Sequence, residues 1–99
     1  MKIEVKEEAD VINITVFDHI DTETILNFKE ILFEIGTTTD KNIDIDLSNV
    51  HYIDSSGLGV LIRLMKLQKK KGKKLTMKNV STEVRNILRL TSHSDAFEM

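Results

Sequence analysis

The sequence has no cysteine and no proline, 4 glycines in 99 residues, and four phenylalanines and one tyrosine as its aromatics. Without cysteine there are no disulfides, no thiolate nucleophile and no thiolate metal ligands, and a reducing compartment is allowed. Without proline, helix ends have to be read from capping residues and glycine. The histidines His19, His51 and His93 are scattered without metal-ligand spacing. No apolar run approaches the roughly 18 residues of a membrane span, and the charged start "MKIEVKEEAD" does not read as a signal peptide. A net charge of -2 gives no overall attraction to nucleic acid or anionic membrane. A cytoplasmic chain with neither of those partners, and with no cofactor or metal, is expected.

What is present reads as ordinary globular sequence, 40% apolar and 30% charged. The length suits one domain around one core, expected over residues 1–99. Apolar and polar residues alternate in four places. Ile3 and Val5 mark a short first strand; Ile12, Ile14 and Val16 face opposite to Asn13 and Thr15. Ile43, Ile45 and Leu47 alternate with Asp44 and Asp46, and Leu75 and Met77 continue the pattern toward Asn79. Such strands have one wet face, whereas a sheet covered on both faces would have continuous apolar strands. The expected fold class is α/β, a small mixed β-sheet with helices packed mainly on one face.

Three helices are expected. The first opens at "DTET", with Asp21 or Thr22 as cap, carries the stripe Ile25, Phe28, Ile31, Leu32 and Ile35, and is closed by Gly36. Leu26 and Phe33 fall on another side of it. The third begins with Ser81 as cap and runs through Val84, Ile87 and Leu88. The second, from about Ser55 to Lys71, has two apolar stripes. Leu58, Leu61, Ile62 and Met65 form one, Val60, Leu64 and Leu67 the other, leaving Gly59, Arg63 and Lys66 as a narrow polar side. Either the helix is wedged between the sheet and a neighbouring helix, or its second stripe is partly open and docks a partner. Lys69, Lys70 and Lys71 suit the negative end of this helix and Gly72 ends it. No aromatics interleave with these lysines, which argues against single-strand binding.

The start of the second helix, "HYIDSSGLG", is the unusual stretch. Asp54, Ser55 and Ser56 are all good N-cap residues, but a cap accounts for one of them. Gly57 and Gly59 each cost up to about 1 kcal/mol inside a helix. Together they bare the backbone where N–H groups point outward, so another backbone or an anion could approach. Catalysis fits poorly. A Gly-x-Ser-x-Gly elbow needs glycine where Ile53 or Asp54 stands, Gly-x-Gly-x-x-Gly fails at Ile62, and the phosphate-cradling Gly-Lys-Ser/Thr run is missing. Asp54 is a feeble base for a hydroxyl, and His51 lies three residues upstream of it. Ser55 therefore reads as a substrate rather than a nucleophile, and the chain as a non-enzyme.

The run "LSNVHYIDSSGLGVLI" resembles the signature of bacterial anti-sigma factor antagonists, the single-domain STAS proteins. Tyr52, Ile53, Asp54, Ser55, Ser56, Gly57, Leu58 and Gly59 match it position by position. "HIDTET" is similar to the family's loop into its first helix, and "LTMKNVSTEVRNILRLT" to its last core strand and following helix. The sequence departs from the pattern at Asp18–His19–Ile20, where the family often has Gly-Glu-apolar, and at Thr91–Ser92–His93, where it tends to Thr-Gly-Leu. The resemblance implies partner switching. The unphosphorylated protein would bind an anti-sigma factor that is also an ATP-dependent serine kinase, and so free a sigma factor. That kinase would phosphorylate Ser55, and a metal-dependent serine phosphatase would reverse it. Asp21, Thr22, Asp54, Ser56, Gly57, Leu58 and Gly59 would form the partner surface, on a chain that is a monomer when free. A STAS regulatory module that binds a different kinase or a small ligand is the alternative.

Overall fold

The computed structural model describes residues 2–90, with side chains as far as Leu88. The elements follow the order β1 (Ile3–Glu7), β2 (Val11–Val16), α1 (Ile25–Thr38), β3 (Asn42–Asp46), α2 (Ser55–Lys70), β4 (Leu75–Lys78) and α3 (Thr82–Leu90). They build a four-stranded mixed sheet in the order β1-β2-β3-β4. β1 and β2 form an antiparallel hairpin, and β3 and β4 continue in parallel. Parallel neighbours need a crossover helix, and α1 and α2 are those crossovers.

The register converts the alternation into a face. Ile12 lies beside Ile43 and Ile43 beside Leu75; Ile14 lies beside Ile45 and Ile45 beside Met77. All of these are buried, in one core with Phe28 and Leu32 of α1, Leu58, Leu61, Leu64 and Met65 of α2, and Val84 and Leu88 of α3. The other face carries Asn13, Asp44 and Thr76 in one row and Thr15, Asp46 and Lys78 in the next. There Lys78 pairs with Asp44 at 2.8 Å. Helices therefore cover the apolar face, as the one-sided alternation requires. Val5 shares that face as the partner of Ile14, but at the sheet edge it stays 49% exposed.

Three expectations about element ends change. β4 stops at Lys78, because Asn79 takes the left-handed conformation (φ 55°) and its amide donates to Asp46 at 3.0 Å; asparagine tolerates that conformation well. Gly36 does not close α1, which runs on to Thr38. Gly36 is instead buried where α1 meets α2, and a Cβ there would lie 2.5 Å from Leu64 Cδ1. Its missing side chain sets how closely the helices pack. Asp21 stands a turn before the first α1 residue, capping the turn that leads into the helix. The expected ends of α2 and α3 are present: Gly72 has φ 69° just past α2, and the Ser81 hydroxyl accepts from the Val84 N–H at 3.2 Å.

Two side chains at the end of α2 tie it to neighbouring backbone, one of them to the end of α1. Lys71 Nζ donates to the carbonyls of Gly36 and Thr39, which are among those α1 cannot satisfy internally. Gln68, fully buried, donates from Nε2 to the carbonyls of Lys41 at 3.0 Å and Lys74 at 3.1 Å. The lysine run thus divides, with Lys71 a cap for the neighbouring helix. Lys71→Met keeps the stem but loses the charged donor, and should lower unfolding free energy by about 1 to 2 kcal/mol. Urea titration of the two proteins measures the difference; equal midpoints would show that Lys71 holds nothing.

Candidate functional site

Beyond the carboxyl ends of β2 and β3, the chain runs into two loops that meet again. Ile20 and Ile53 form an isolated parallel bridge. The Ile20 N–H donates to the Tyr52 carbonyl at 3.2 Å and the Asp54 N–H to the Ile20 carbonyl at 3.0 Å. Both isoleucines are buried. The bridge brings "DTET" beside "DSSG" at the place where ligands and partners are commonly met in parallel sheets.

Each loop then closes on itself. Asp21 Oδ1 accepts from the N–H groups of Glu23 at 3.0 Å and Thr24 at 3.3 Å. Thr24 Oγ1 accepts from the Asp21 N–H at 3.1 Å and donates to the His19 carbonyl at 2.8 Å. This is the reciprocal logic of a capping box. Among the described residues Thr22 caps nothing with its exposed side chain, but its backbone N–H helps lower the pKa of Asp54. Thr24, whose hydroxyl completes the box, was not singled out in the sequence; a hydroxyl three residues after Asp21 was the signal for it.

Asp54 is the N-cap of α2. Its backbone is extended and its side chain accepts from the Gly57 N–H at 3.1 Å. The Ser56 hydroxyl donates to the same carboxylate oxygen at 2.6 Å. Ser55 opens the helix, exposed, and its hydroxyl has no hydrogen bond among the described residues. The two serines therefore differ: one is engaged and the other free. His51 turns its ring to Glu83 at 3.4 Å, and Tyr52, 49% exposed, stands on the same loop.

The glycines also differ. Gly57, expected on a bare outer surface, is buried: a Cβ there would lie 2.3 Å from Ile20 Cγ2 and 2.9 Å from Ile53 Cγ1. It is bare because the bridge packs on its backbone. Leu58, expected with it on the contact surface, is also buried in the core at 3% exposure. Gly59 has open space where its Cβ would be. Gly57→Ala should destabilise the fold by about 1 to 3 kcal/mol through overpacking. Gly59→Ala should be neutral or gain up to about 1 kcal/mol. Thermal melts of the two variants should move in opposite directions or by clearly different amounts.

The Ser56 hydroxyl, above all, holds the Asp54 carboxyl below its ordinary range, helped by the N–H groups of Gly57, Ser56 and Thr22 against a burial penalty. A carboxylate depressed in the folded state stabilises above its unfolded pKa, and the contribution fades as pH falls toward the folded value. Ser56→Ala should therefore raise the Asp54 pKa and reduce stability at neutral pH. The deficit should shrink as pH falls below the usual carboxylate range near 4. Carboxyl-carbon NMR titration reads the pKa directly; an unmoved Asp54 would assign its depression to the backbone alone.

Comparison with known proteins places this geometry. Residues 2–99 match the STAS domain family. The anti-sigma-B factor antagonist of Listeria monocytogenes is 32% identical over 100 residues, covering 100% of this chain and 88% of the relative. An anti-sigma-factor antagonist (STAS) domain protein of Planctomyces limnophilus superposes with a TM-score of 0.88 at 21% identity, over 97% of this chain and 86% of that one. The Bacillus cell fate determinant SpoIIAA in its phosphorylated form does so with 0.75 at 15% identity, over 99% and 89%. With its mixed sheet, its bridged loops and Asp54–Ser55–Ser56–Gly57 at the head of α2, the chain belongs to the STAS domain family, among the anti-sigma factor antagonists.

Proposed function

We propose that this antagonist works as a phosphorylation-controlled partner switch with Ser55 as the switch residue. Unphosphorylated, it binds an anti-sigma factor that is also an ATP-dependent serine kinase, and the sigma factor is released. Phosphate on Ser55 ends binding, and a metal-dependent serine phosphatase restores it. The observation that carries this reading is the free, exposed hydroxyl of Ser55 beside a Ser56 hydroxyl already donated to Asp54. The name of the Listeria relative supports the partner class, and the phosphorylated SpoIIAA structure supports the modification.

The chemistry agrees. A phosphate adds about -1.5 to -2 charges. At the first residue of α2 it meets the positive helix end, which favours an anion by typically 0.3 to 1 kcal/mol, so the fold tolerates it. A partner fitted to a neutral serine beside the Asp54 carboxylate instead meets two adjacent anions. Asp21 and Thr22, brought alongside by the Ile20–Ile53 bridge, and Gly59 complete the surface, with Tyr52 at its edge. Gly57 and Leu58 support it from beneath. Ser55 acts as the phosphoryl acceptor in the kinase's reaction rather than as a catalytic nucleophile of this chain, since His51 is turned to Glu83.

Incubation with its cognate anti-sigma factor kinase and ATP should place a single phosphate on Ser55. Ser55→Asp should stay folded and lose the kinase complex. Ser55→Ala should bind and, because Asp54 holds the cap, should melt within about 0.5 kcal/mol of wild type. Peptide mapping by mass spectrometry and calorimetric titration check this; phosphate on Ser56, or a folded Ser55→Asp that binds like wild type, overturns it.

A further inference from the structure

The outer faces of α1 and α2 leave a groove far from Ser55. The helices run side by side in one direction, since their entries are joined at Ile20 and Ile53 and their exits by Lys71. The groove, about 340 Å³, is lined by Phe33 and Thr37 of α1 and by Arg63, Lys66, Leu67 and Lys70 of α2. Its floor is apolar: Phe33 and Leu67 are half-buried and pack against the core. Its rim is cationic, with Arg63, Lys66 and Lys70 all exposed. The Arg63 guanidinium lies 4.9 Å from the centre of the Phe33 ring. Among the described residues, none of the three cations has a carboxylate partner.

In a chain of net charge -2, this unneutralised row calls for a reason. The helix dipole accounts for Lys70, in the last turn, but its effect has died away at Arg63 near the middle of α2. Lys66 and Lys70, at i and i+4, repel each other. We infer that the groove is a docking site for an acidic amphipathic helix of a protein partner. Its apolar side chains would sit on Phe33 and Leu67, and its carboxylates would face Arg63, Lys66 and Lys70. Amphipathic helices lay their apolar face into hydrophobic grooves, and here the α2 wall adds the cations that select an acidic one. A bilayer fits less well because the apolar residues are recessed, not protruding. Single-stranded nucleic acid fits less well because the groove has one aromatic ring, Phe33, where successive bases need several to stack on. At 1.5 Å per residue, Ser55 lies about 12 Å along α2 from Arg63 and roughly 22 Å from Lys70, beyond direct contact, so this surface does not rest on the switch reading.

The test is an NMR titration of the full chain with a synthetic helix-forming peptide of about 14 residues. The peptide carries leucine and phenylalanine on one face and glutamate on its flanks. Saturable shifts are expected at Phe33, Thr37, Arg63 and Leu67, weakening with salt. Lys66→Glu combined with Lys70→Glu should weaken binding by about tenfold or more, with circular dichroism confirming the fold. Ser55→Asp should bind the peptide as wild type does. The inference is overturned if the shifts fall elsewhere or do not saturate, or if the charge reversals change nothing. It is equally overturned if phosphatidylglycerol vesicles or a single-stranded oligonucleotide bind the same residues more tightly than the peptide.

Discussion

The functional end of this molecule depends on one contact, the packing of Ile20 and Ile53 over the backbone of Gly57. β2 and β3 are paired as far as Thr15 and Asp46, then separate into loops that lead to different helices. Nothing in strand pairing alone would bring those loops back together. The bridge does so with two backbone hydrogen bonds and two buried side chains, each side chain contributing roughly 1.5 to 3 kcal/mol when fully buried. Against this, glycine inside a helix costs up to about 1 kcal/mol. Burial wins, so a residue that weakens α2 in isolation strengthens its anchorage. The direction of α2, and with it the position of Ser55, is thus set by a loop that precedes α1.

On that anchorage the polar groups divide the work. Asp54 accepts from Ser56 and from the Gly57 N–H, and its carboxyl is held below the ordinary range for that reason. Asp46 repeats the device on the polar face of the sheet. Burial alone would raise its pKa, but the hydrogen bonds of Ser48 and Asn79 and the charge of Lys78 bring it down. Ser55 takes no part in either arrangement. In the proposed switch, a group that gains and loses about two negative charges is safest where it holds no part of the fold, and the first residue after a filled cap is such a place.

The sheet was legible because its period is short and its partners uniform. Ile12 to Val16 and Ile43 to Leu47 state their buried face in their own alternation, and register follows from stacking those faces. Ser81 and Gly72 were legible because a cap is a local event. Gly36, Gly57 and Lys71 were misread for one common reason. Each looks like punctuation or solvent exposure within its own helix, while its task is set by a residue distant in sequence: Leu64, Ile20, and the carbonyls of Gly36 and Thr39. At the site, Gly57 reads as outward-facing surface from the signature stretch alone, whereas it faces in, as Leu58 does.

The two stripes of α2 show why its remaining face matters. Leu58, Leu61 and Met65 on one side and Val60 and Leu64 on the other are all buried, with Ile62 and Leu67 half-buried at the margins. The helix is therefore wedged between sheet and α1, which cover both apolar stripes except at the margin, where Leu67 lines the groove. What stays open is the strip through Gly59, Arg63, Lys66 and Lys70. Gly57 on the inner side has its cost repaid by the bridge, but Gly59 has nothing above it. An alanine there would meet no clash and would favour the helix. Nothing within the fold asks for glycine at that position. The proposed partner surface supplies an external reason, since it would come close to the first turns of α2 beside the free hydroxyl of Ser55.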